Sequence, residues 1–253
     1  MADSANFALH RPELEEALRR GEAKIAALTA RSLRRLGAGE TLIQANSEHG
    51  YVYRLKEGWA GRVRELEDGR SQFILIFLPG DLFAVKSMFV ARHPDAVISL
   101  SEATIEQVDH RRLREAFAND PDVALRCTWQ VVEEERRLHS WVTGLGQGDA
   151  EERLAMLLTD FRGRLALASG AGDTLLSFEL PMTQDQIGDH LGISNVHVSR
   201  VVRTFRERNI ATLRGKKVHI LDPVALARLA RPLLDPYERS APEYVGSPKT
   251  GQG

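Results

Sequence analysis

The chain has 253 residues, of which 43% are hydrophobic and 27% are charged, and its formal net charge is −1. This length allows two domains with their own hydrophobic cores, and the balanced charge by itself indicates no particular partner. The single cysteine, Cys127, excludes an internal disulfide and any iron–sulfur cluster or zinc site built from several cysteines of one chain. Because the N-terminus lacks a signal pattern and no run of about 18 apolar residues occurs, we expect a cytoplasmic protein that does not enter a membrane.

The first predicted element is a short N-terminal helix within residues 1–20. The pattern from Pro12 to Arg20 has one apolar face, and Gly21 is expected to end this helix. Residues 23–36 are predicted to continue as a second helix.

From residue 37 the sequence changes to short apolar runs separated by turns. Turn-forming residues stand at Glu57-Gly58, Asp68-Gly69 and Pro79-Gly80-Asp81. This pattern predicts an antiparallel sandwich or roll that continues through residues 96–108. We assign residues 21–110 to this domain.

A long helical pattern follows, and Asp120-Pro121 has the composition of its start. Seven positions along it recur at alternating spacings of three and four: Ala124, Cys127, Val131, Glu134, Leu138, Trp141 and Leu145. Such a seam needs a partner helix, so its six uncharged members are predicted to form a homodimer interface, which the charged Glu134 weakens. The alternative is that the seam packs against the β-roll of its own chain. The sequence GLGQG at 144–148 lacks the strand and spacing of a nucleotide loop, so we interpret it as a hinge that ends a dimerisation segment at 111–148.

Residues 149–236 are predicted to form a second domain, and the polar residues 237–253 a disordered tail. Within this domain, two short helical patterns meet at a tight turn. Thr183 and Gln186 have the spacing of a capping box, and Gly192 is expected at positive φ. Gly188, in the middle of the first helix, indicates a close approach by another helix. Polar side chains then remain on the outer face of the second helix, residues 195–208. This is the layout of a helix-turn-helix whose second helix enters a major groove, and a hairpin wing follows at 211–221.

Charge supports DNA binding by this domain. Residues 183–220 contain seven Lys or Arg against three acidic residues, although the whole chain is near neutral. A local basic patch of this kind is what binding to phosphates requires. The alternative is an ordinary helical hairpin with a solvated basic face, but the cap, the turn glycine, the core spacing and the wing all agree with DNA binding.

The order of β-roll, long helix and winged helix-turn-helix resembles the CRP/FNR family of bacterial transcription regulators. The resemblance covers about residues 20–230 and is strongest at LGISNVHVSR, residues 191–200, and at DGRSQFILIFLPGDLF, residues 68–83. It implies an α+β fold in which an N-terminal antiparallel β-roll, a double-stranded β-helix, acts as the sensor. It also implies a homodimer that binds double-stranded DNA at an inverted-repeat operator and has RNA polymerase as a partner.

The resemblance assigns roles to residues of the helix-turn-helix. Arg200 is expected to read a guanine, and Ser199 the adjacent base or phosphate. Many relatives carry glutamate where this chain has Val196, and valine cannot accept a hydrogen bond from cytosine. The predicted base-reading residues are Asn195, Val196, His197, Ser199 and Arg200. The predicted phosphate-binding residues are Thr183, Gln184, Arg203, Lys216 and Lys217.

The ligand pocket implied by the resemblance is altered. Val85 stands where cyclic-nucleotide-binding relatives hold the ribose with a carboxylate, and Asp95 stands in the phosphate-binding stretch. The pocket is therefore expected to lack both an acceptor for the ribose and a cation for the phosphate. Leu138 and His139 stand where cyclic-AMP responders place a hydroxyl pair. We therefore expect neither a cyclic nucleotide nor an iron–sulfur cluster as cofactor, and the sequence does not identify an effector.

Enzyme motifs are absent from the sequence, which contains no H-E-x-x-H, G-x-S-x-G or P-loop lysine motif. We therefore predict no catalytic and no metal site. Cys127 is interpreted as a buried, inert thiol rather than a redox sensor. The scattered histidines, among them His49, His93, His110 and His139, are interpreted as structural. The function alternative to a DNA-binding regulator is a sensor or scaffold whose helix-turn-helix contacts another protein.

Overall fold

The structure, a computed structural model, describes residues 14–234. Its helices are α1 Glu15–Thr29, α2 His110–Asn119, α3 Pro121–Gln147, α4 Ala150–Ser169, α5 Gln184–Leu191, α6 Asn195–Glu207 and α7 Pro223–Ala230. Its strands are β1 Leu33–Leu36, β2 Thr41–Ile43, β3 Tyr51–Glu57, β4 Ala60–Glu65, β5 Ser71–Phe77, β6 Leu82–Phe83, β7 Ala96–Ser99, β8 Ala103–Asp109, β9 Ser177–Glu179, β10 Ala211–Arg214 and β11 Lys217–Ile220. The predicted tail at 237–253 and the beginning of the predicted N-terminal helix lie outside the described residues.

The β-roll is confirmed. Two four-stranded antiparallel sheets, ordered β1-β8-β3-β6 and β2-β7-β4-β5, enclose an apolar core that includes Leu55, Phe77 and Ile105. Gly58 and Gly69 adopt positive φ at the two predicted hairpin turns, where a residue with a Cβ atom would be strained.

The two predicted N-terminal helices are wrong. A single helix, α1, runs through Gly21, and the segment from Leu33 to Leu36 is strand β1 rather than helix. Gly21 allows α1 to pack closely against α3, because a Cβ atom at this position would lie 2.2 Å from the carbonyl oxygen of Asp122 on α3. The predicted domain boundary at residue 20 therefore cuts through a continuous helix.

The long helix α3 begins as predicted, with Asp120 as N-cap and Pro121 in the first turn. The predicted hinge at 144–148 begins too early, because α3 continues to Gln147 and the chain leaves the helix only at Gly148 and Asp149, before α4. Gly144 is buried inside the helix, and a Cβ atom there would lie 3.1 Å from the Cε of Met156 on α4. This glycine therefore allows α3 and α4 to pack closely and does not interrupt the helix.

The predicted seam on α3 is not open to a partner along its whole length, because other parts of the same chain cover some of its positions. Cys127 is fully buried against the β-roll and α1, and Trp141 is buried against the helix-turn-helix. Glu134 faces the β-roll and pairs with Arg62 at 3.1 Å. Cys127 and Trp141 are therefore not available to a partner helix. Heptad spacing identifies one face of a helix, but it does not show which positions of that face are covered by the same chain.

The exposed seam is displaced by one residue from the predicted one. The residues one position C-terminal to the members of the predicted seam are all exposed or half-buried: Leu125, Thr128, Val132, Glu135, His139, Val142 and Gly146. Val131 and Leu145 of the predicted seam border this stripe and are also exposed, and Ala124 and Leu138 are half-buried.

The second domain packs directly on the β-roll. The Ser71 hydroxyl donates to the Asp189 carboxylate at 2.6 Å, and the Gln72 side-chain amide donates to the His190 carbonyl oxygen at 3.1 Å. The His190 ring lies 4.1 Å from the Trp141 ring, centroid to centroid, with the two planes tilted by 65°. Strand β5, helix α3 and helix α5 thus meet at one buried contact.

Candidate nucleic-acid interface

Helix α5 begins with a complete capping box. The Thr183 hydroxyl accepts from the Gln186 backbone N–H at 3.1 Å, and the Gln186 side chain accepts from the Thr183 backbone N–H at 2.9 Å. This arrangement satisfies two donors that a helix start would otherwise leave unpaired. The predicted start of the helix-turn-helix is therefore confirmed.

The turn between α5 and α6 depends on two glycines. Gly192 ends α5 at φ 66°, in the left-handed region, as predicted. A Cβ atom at Gly188 would lie 2.5 Å from the carbonyl oxygen of Ile193, so the turn folds back onto the glycine. We expected a helix to approach Gly188, but the close contact comes from the turn itself. Ser194 then caps α6 by accepting from the His197 backbone N–H at 3.3 Å.

Helix α6 presents one apolar and one polar face. Val198, Val201 and Phe205 are buried on the side that faces α4 and α5. All five predicted base-reading residues are exposed on the opposite side: Asn195, Val196, His197, Ser199 and Arg200. Val196, at 65% exposure, is an apolar contact available to a thymine methyl group.

Several polar side chains on this face already have partners in the chain. The Asn195 amide donates to Asp185 at 2.7 Å, the Ser199 hydroxyl donates to Gln184, and Arg203 pairs with Glu207 at 2.7 Å. The Arg200 guanidinium makes no hydrogen bond or ion pair with any residue between 14 and 234. Arg200 is therefore the side chain most readily available for a new bidentate contact.

The wing is a two-stranded hairpin of β10 and β11, extended by β9. Gly215 and Lys216 both adopt positive φ, 54° and 65°, which is the geometry of a two-residue type I′ turn. The turn exposes Arg214, Lys216 and Lys217 together at the tip. Thr183, Gln184 and Arg203 are exposed as well, so every predicted phosphate-binding residue is accessible.

Inside the β-roll, the region of the implied ligand pocket is occupied by the chain's own charges. Asp95 is 2% exposed and is surrounded by Arg64 at 2.7 Å, Arg62 at 3.7 Å and Lys86 at 3.8 Å. We expected this region to lack a cation, and that expectation is wrong. The cations are present but paired, because Asp95 lies where an external anion would have to bind.

Val85 and Cys127 behave as their sequence contexts predict. Val85 is buried in an apolar cluster and offers no acceptor to a ribose. Burial raises the pKa of the Cys127 thiol to about 11, so the thiol is protonated and unreactive near neutral pH.

Two clusters were not predicted from the sequence, one of partly buried histidines and one of buried charged groups. His49, His93 and His110 were interpreted as scattered, yet the His49 ring lies 5.5 Å from the His93 ring and 6.2 Å from the His110 ring. Burial, followed by the charges on His93 and His110, lowers the pKa of His49 to about 4. Among the described residues, no group of three or more His, Cys, Asp or Glu side chains is arranged to hold a metal ion.

The second missed cluster joins the two domains. Asp81, in the Pro79-Gly80-Asp81 turn, pairs with Arg164 of α4 and with Arg137 of α3 at 3.4 Å. Burial alone would raise the pKa of Asp81, but the two guanidinium groups outweigh it, and the pKa is lowered. No sequence pattern links Asp81 and Arg164, which are 83 positions apart.

Two family models match the chain. The model of the cyclic nucleotide-binding domain matches residues 33–120, and the model of the Crp-like helix-turn-helix domain matches residues 152–229. The matched ranges correspond to the β-roll and to the second domain.

Similar proteins agree with these matches. The transcriptional activator protein Anr of Pseudomonas protegens is 27% identical over 197 residues, which cover 78% of this chain and 80% of Anr. The nitrogen fixation regulation protein FixK of Bradyrhizobium diazoefficiens is 28% identical over 194 residues, which cover 76% of this chain and 79% of FixK. The structure of FixK2 from Bradyrhizobium japonicum has the same fold, with a TM-score of 0.70 at 24% identity over 78% of this chain and 96% of that one.

The fold and the exposed basic helix-turn-helix define a DNA-binding protein that also carries a β-roll domain. With both family models matched in this order, the chain belongs to the CRP/FNR family of transcription regulators. It functions as a DNA-binding regulator, and regulators of this family are not enzymes. None of the helices between residues 14 and 234 combines the length and the apolar character needed to cross a bilayer.

Proposed function

We propose that this regulator binds an inverted-repeat DNA operator as a homodimer joined along α3. The observation that carries the proposal is the stripe of exposed apolar side chains on α3, with Val131 at 49%, Val132 at 44% and Val142 at 68% exposure. A long helix that exposes valines along one side, while its other side is already covered by its own chain, gains stability by packing against a second copy. Regulators of the CRP/FNR family typically act as dimers, which agrees with this proposal.

In such a dimer, the two copies of α6 would enter successive major grooves on one side of the duplex. Half-sites would then lie about 34 Å apart, one helical turn of DNA. Arg200 would read a guanine, with Asn195, Val196, His197 or Ser199 contacting neighbouring bases. The residues Thr183, Gln184, Arg203, Lys216 and Lys217 would contact phosphates, which fix the register without reading sequence.

The dimer is tested by a pair of valines with equal exposure. Val142 on α3 and Val224 on α7 are both 68% exposed, so aspartate at either position should leave the fold intact. Sedimentation at micromolar concentration should show that Val142→Asp is monomeric and that Val224→Asp remains dimeric. Val142→Asp should also lose operator binding, because one half-site supplies only half of the contacts. A monomeric wild-type protein would contradict the proposal.

We propose further that neither cyclic AMP nor cyclic GMP controls the protein. Two residues support this proposal: Val85, which is buried, and Asp95, which already forms ion pairs with the cations that a ligand phosphate would need. Bringing in a phosphate would require separating Asp95 from Arg62, Arg64 and Lys86. Calorimetry should therefore detect no heat of binding with either nucleotide, and micromolar binding of either one would refute the proposal.

RNA polymerase is the proposed protein partner. The relatives named as transcriptional activators motivate this proposal, because activation on DNA requires contact with the polymerase. Transcription in vitro from a promoter with the operator upstream should rise with added wild-type protein and not with Val142→Asp. Absence of any change in transcript would count against it.

A further inference from the structure

A cleft with a volume of about 130 Å³ lies between the wing and the helix-turn-helix. Its walls come from the segment between β9 and α5, from α5 and α6, and from the β10–β11 hairpin. We call it the wing cleft. None of the five predicted base-reading residues lines it, so reading of the DNA sequence does not account for the cleft.

The inner wall of the wing cleft is apolar. Four of its side chains are buried and two are half-buried: Leu180, Met182, Ile187 and Val218 are buried, and Val202 and Leu213 are half-buried. An apolar cavity of about 150 Å³ admits benzene. The wing cleft, which is open to solvent on one side, therefore has room for about one six-membered ring, and burial of that ring against the wall is favourable.

The mouth of the wing cleft is positively charged. Arg214, Lys216 and Lys217 line it and are exposed. Their charged groups have no hydrogen-bond or ion-pair partner between residues 14 and 234. Glu179 lies opposite Lys217 in the sheet register, but the two side chains form no ion pair in the described part of the chain. Because the described lining residues include no acidic side chain, the mouth attracts an anion.

The remaining polar side chain of the lining, Gln184, keeps donors for a ligand. Its carbonyl oxygen accepts from the Ser199 hydroxyl, which leaves its amide NH₂ group without a partner among the described residues. A carboxylate accepts hydrogen bonds from an amide as well as from ammonium and guanidinium groups. The polar groups of the wing cleft thus match one carboxylate.

We propose that the wing cleft binds a small carboxylic acid with an apolar body, such as an aromatic acid of the size of benzoate. The ring packs on the apolar wall, and the carboxylate lies at the mouth beside the three cations. The apolar wall alone would accept a neutral molecule, and the cations alone would accept any anion. Their combination selects a ligand that has both properties.

Binding of such an acid would compete with DNA. Gln184, Lys216 and Lys217 are proposed phosphate contacts, and they also line the wing cleft. A carboxylate bound there lowers the positive charge that the phosphates would otherwise meet. The acid is therefore an effector that releases the regulator from DNA. This competition, unlike the binding of the acid itself, rests on the proposed phosphate contacts of the wing.

Methionine methyl groups report on the wing cleft directly. The chain has four methionines, of which Met182 lines the cleft, Met88 and Met156 do not, and Met1 lies outside the described residues. In protein labelled with ¹³C at the methionine methyl groups, an NMR titration with benzoate should shift the Met182 resonance until it saturates. The resonances of Met88 and Met156 should stay in place.

Two related molecules separate the contributions of the ring and the charge. Acetate lacks the ring and should bind at least about tenfold more weakly than benzoate, because the apolar contacts are lost. Benzyl alcohol keeps the ring but lacks the charge. It should bind several-fold more weakly, because pairs between exposed charges contribute less than the buried ring.

Two variants, each with a matched control, test the position of the ligand. Val202→Leu adds a methylene group to the apolar wall and should weaken benzoate binding by about tenfold, because it takes space that the ring needs. Val224→Leu, at an exposed position on α7, should bind like the wild type. Lys216→Gln should weaken binding several-fold, whereas Arg111→Gln, at an exposed position on α2, should not. Circular dichroism spectra should match that of the wild type for all four variants.

The proposal is overturned if benzoate leaves the Met182 resonance in place, if benzyl alcohol binds as tightly as benzoate, or if both Val202→Leu and Lys216→Gln bind like the wild type. Duplex DNA at low salt should raise the benzoate concentration that half-saturates the wild-type protein. Unchanged benzoate binding to the DNA-bound protein would contradict the effector role. If the chain bound no duplex DNA, the proposed function would fail, and the titration without DNA would still decide whether the acid binds.

Discussion

Charged side chains have opposite roles in the two domains. In the β-roll and at its junction with α4, Asp81, Asp95 and Arg164 are buried and paired, and they hold the molecule together. In the helix-turn-helix, the side chains of Arg200 and Lys217 are exposed, and their charged groups have no hydrogen-bond or ion-pair partner between residues 14 and 234. A buried charge must be compensated within the chain, whereas an exposed unpaired charge remains available to another molecule. The difference separates residues that determine stability from residues that determine binding.

The largest effect is expected at the junction of the two domains. Asp81→Asn removes the carboxylate shared by Arg164 and Arg137, which are both buried. Asp160 still pairs with Arg164 at 3.1 Å and Glu133 still lies 4.0 Å from Arg137, so both guanidinium groups stay partly compensated. The free energy of unfolding should therefore fall by about 3 kcal/mol, the lower end of the cost of breaking a buried ion pair. Urea denaturation followed by circular dichroism measures the change. Asp68→Asn, in an exposed turn, is the control and should leave the midpoint unchanged.

Acid should weaken the same junction through His190. Burial lowers the pKa of His190 to about 4, whereas an unfolded histidine titrates near 6.5, so the folded state favours the neutral ring. The contribution of the neutral His190 ring to the free energy of unfolding is fully present above pH 6.5. It is lost as the pH falls towards 4, and the loss amounts to about 3 kcal/mol.

The measurement is the urea midpoint at several pH values between 7 and 4. His190→Gln can still donate to the carbonyl oxygen of Phe73, which the His190 ring contacts at 2.8 Å, but it cannot titrate. It should therefore remove the share of the pH dependence that comes from His190, and the remainder comes from His49, whose pKa is also lowered to about 4, and from His93 and His110, whose pKa values are lowered by burial. An unchanged pH dependence in His190→Gln would mean that other groups control the acid sensitivity.

A smaller effect is expected within the helix-turn-helix, from two glycines in different surroundings. An alanine at Gly188 would place its Cβ atom 2.5 Å from the Ile193 carbonyl oxygen, so Gly188→Ala should cost about 1–3 kcal/mol and distort the turn. Gly163 on α4 has no atom within 4 Å of that position, so Gly163→Ala should instead stabilise the helix by about 0.5–1 kcal/mol. Thermal denaturation of both variants checks the opposite signs, and equal shifts would show that the turn is not tightly packed.

Local sequence patterns predicted the local structure well, and the reason is visible at particular residues. The capping box at Thr183, the positive φ of Gly192 and the hairpin turn at Gly69 each depend on a few neighbouring residues. Gly21 and Gly144 were misinterpreted because a glycine that ends a helix and one that admits a neighbouring helix look alike in sequence.

Features that depend on distant parts of the chain could not be predicted in this way. The pairing of Asp81 with Arg164 and the grouping of His49 with His93 and His110 depend on how the domains and strands fold together. The side of α3 left for a partner was predicted one position away from the exposed stripe, because Cys127 and Trp141 are covered by their own chain.

The central claim is that the exposed charges of the helix-turn-helix divide into a base reader and phosphate contacts. Competition binding to operator and scrambled DNA tests this claim most directly. Arg200→Ala should reduce the preference for the operator by about 1–3 kcal/mol, because the bidentate contact to guanine is lost. Lys217→Ala should weaken binding to both DNAs about equally and lower the salt slope by roughly one. If Arg200→Ala kept the full preference of the wild type, α6 would not be reading the operator through this residue.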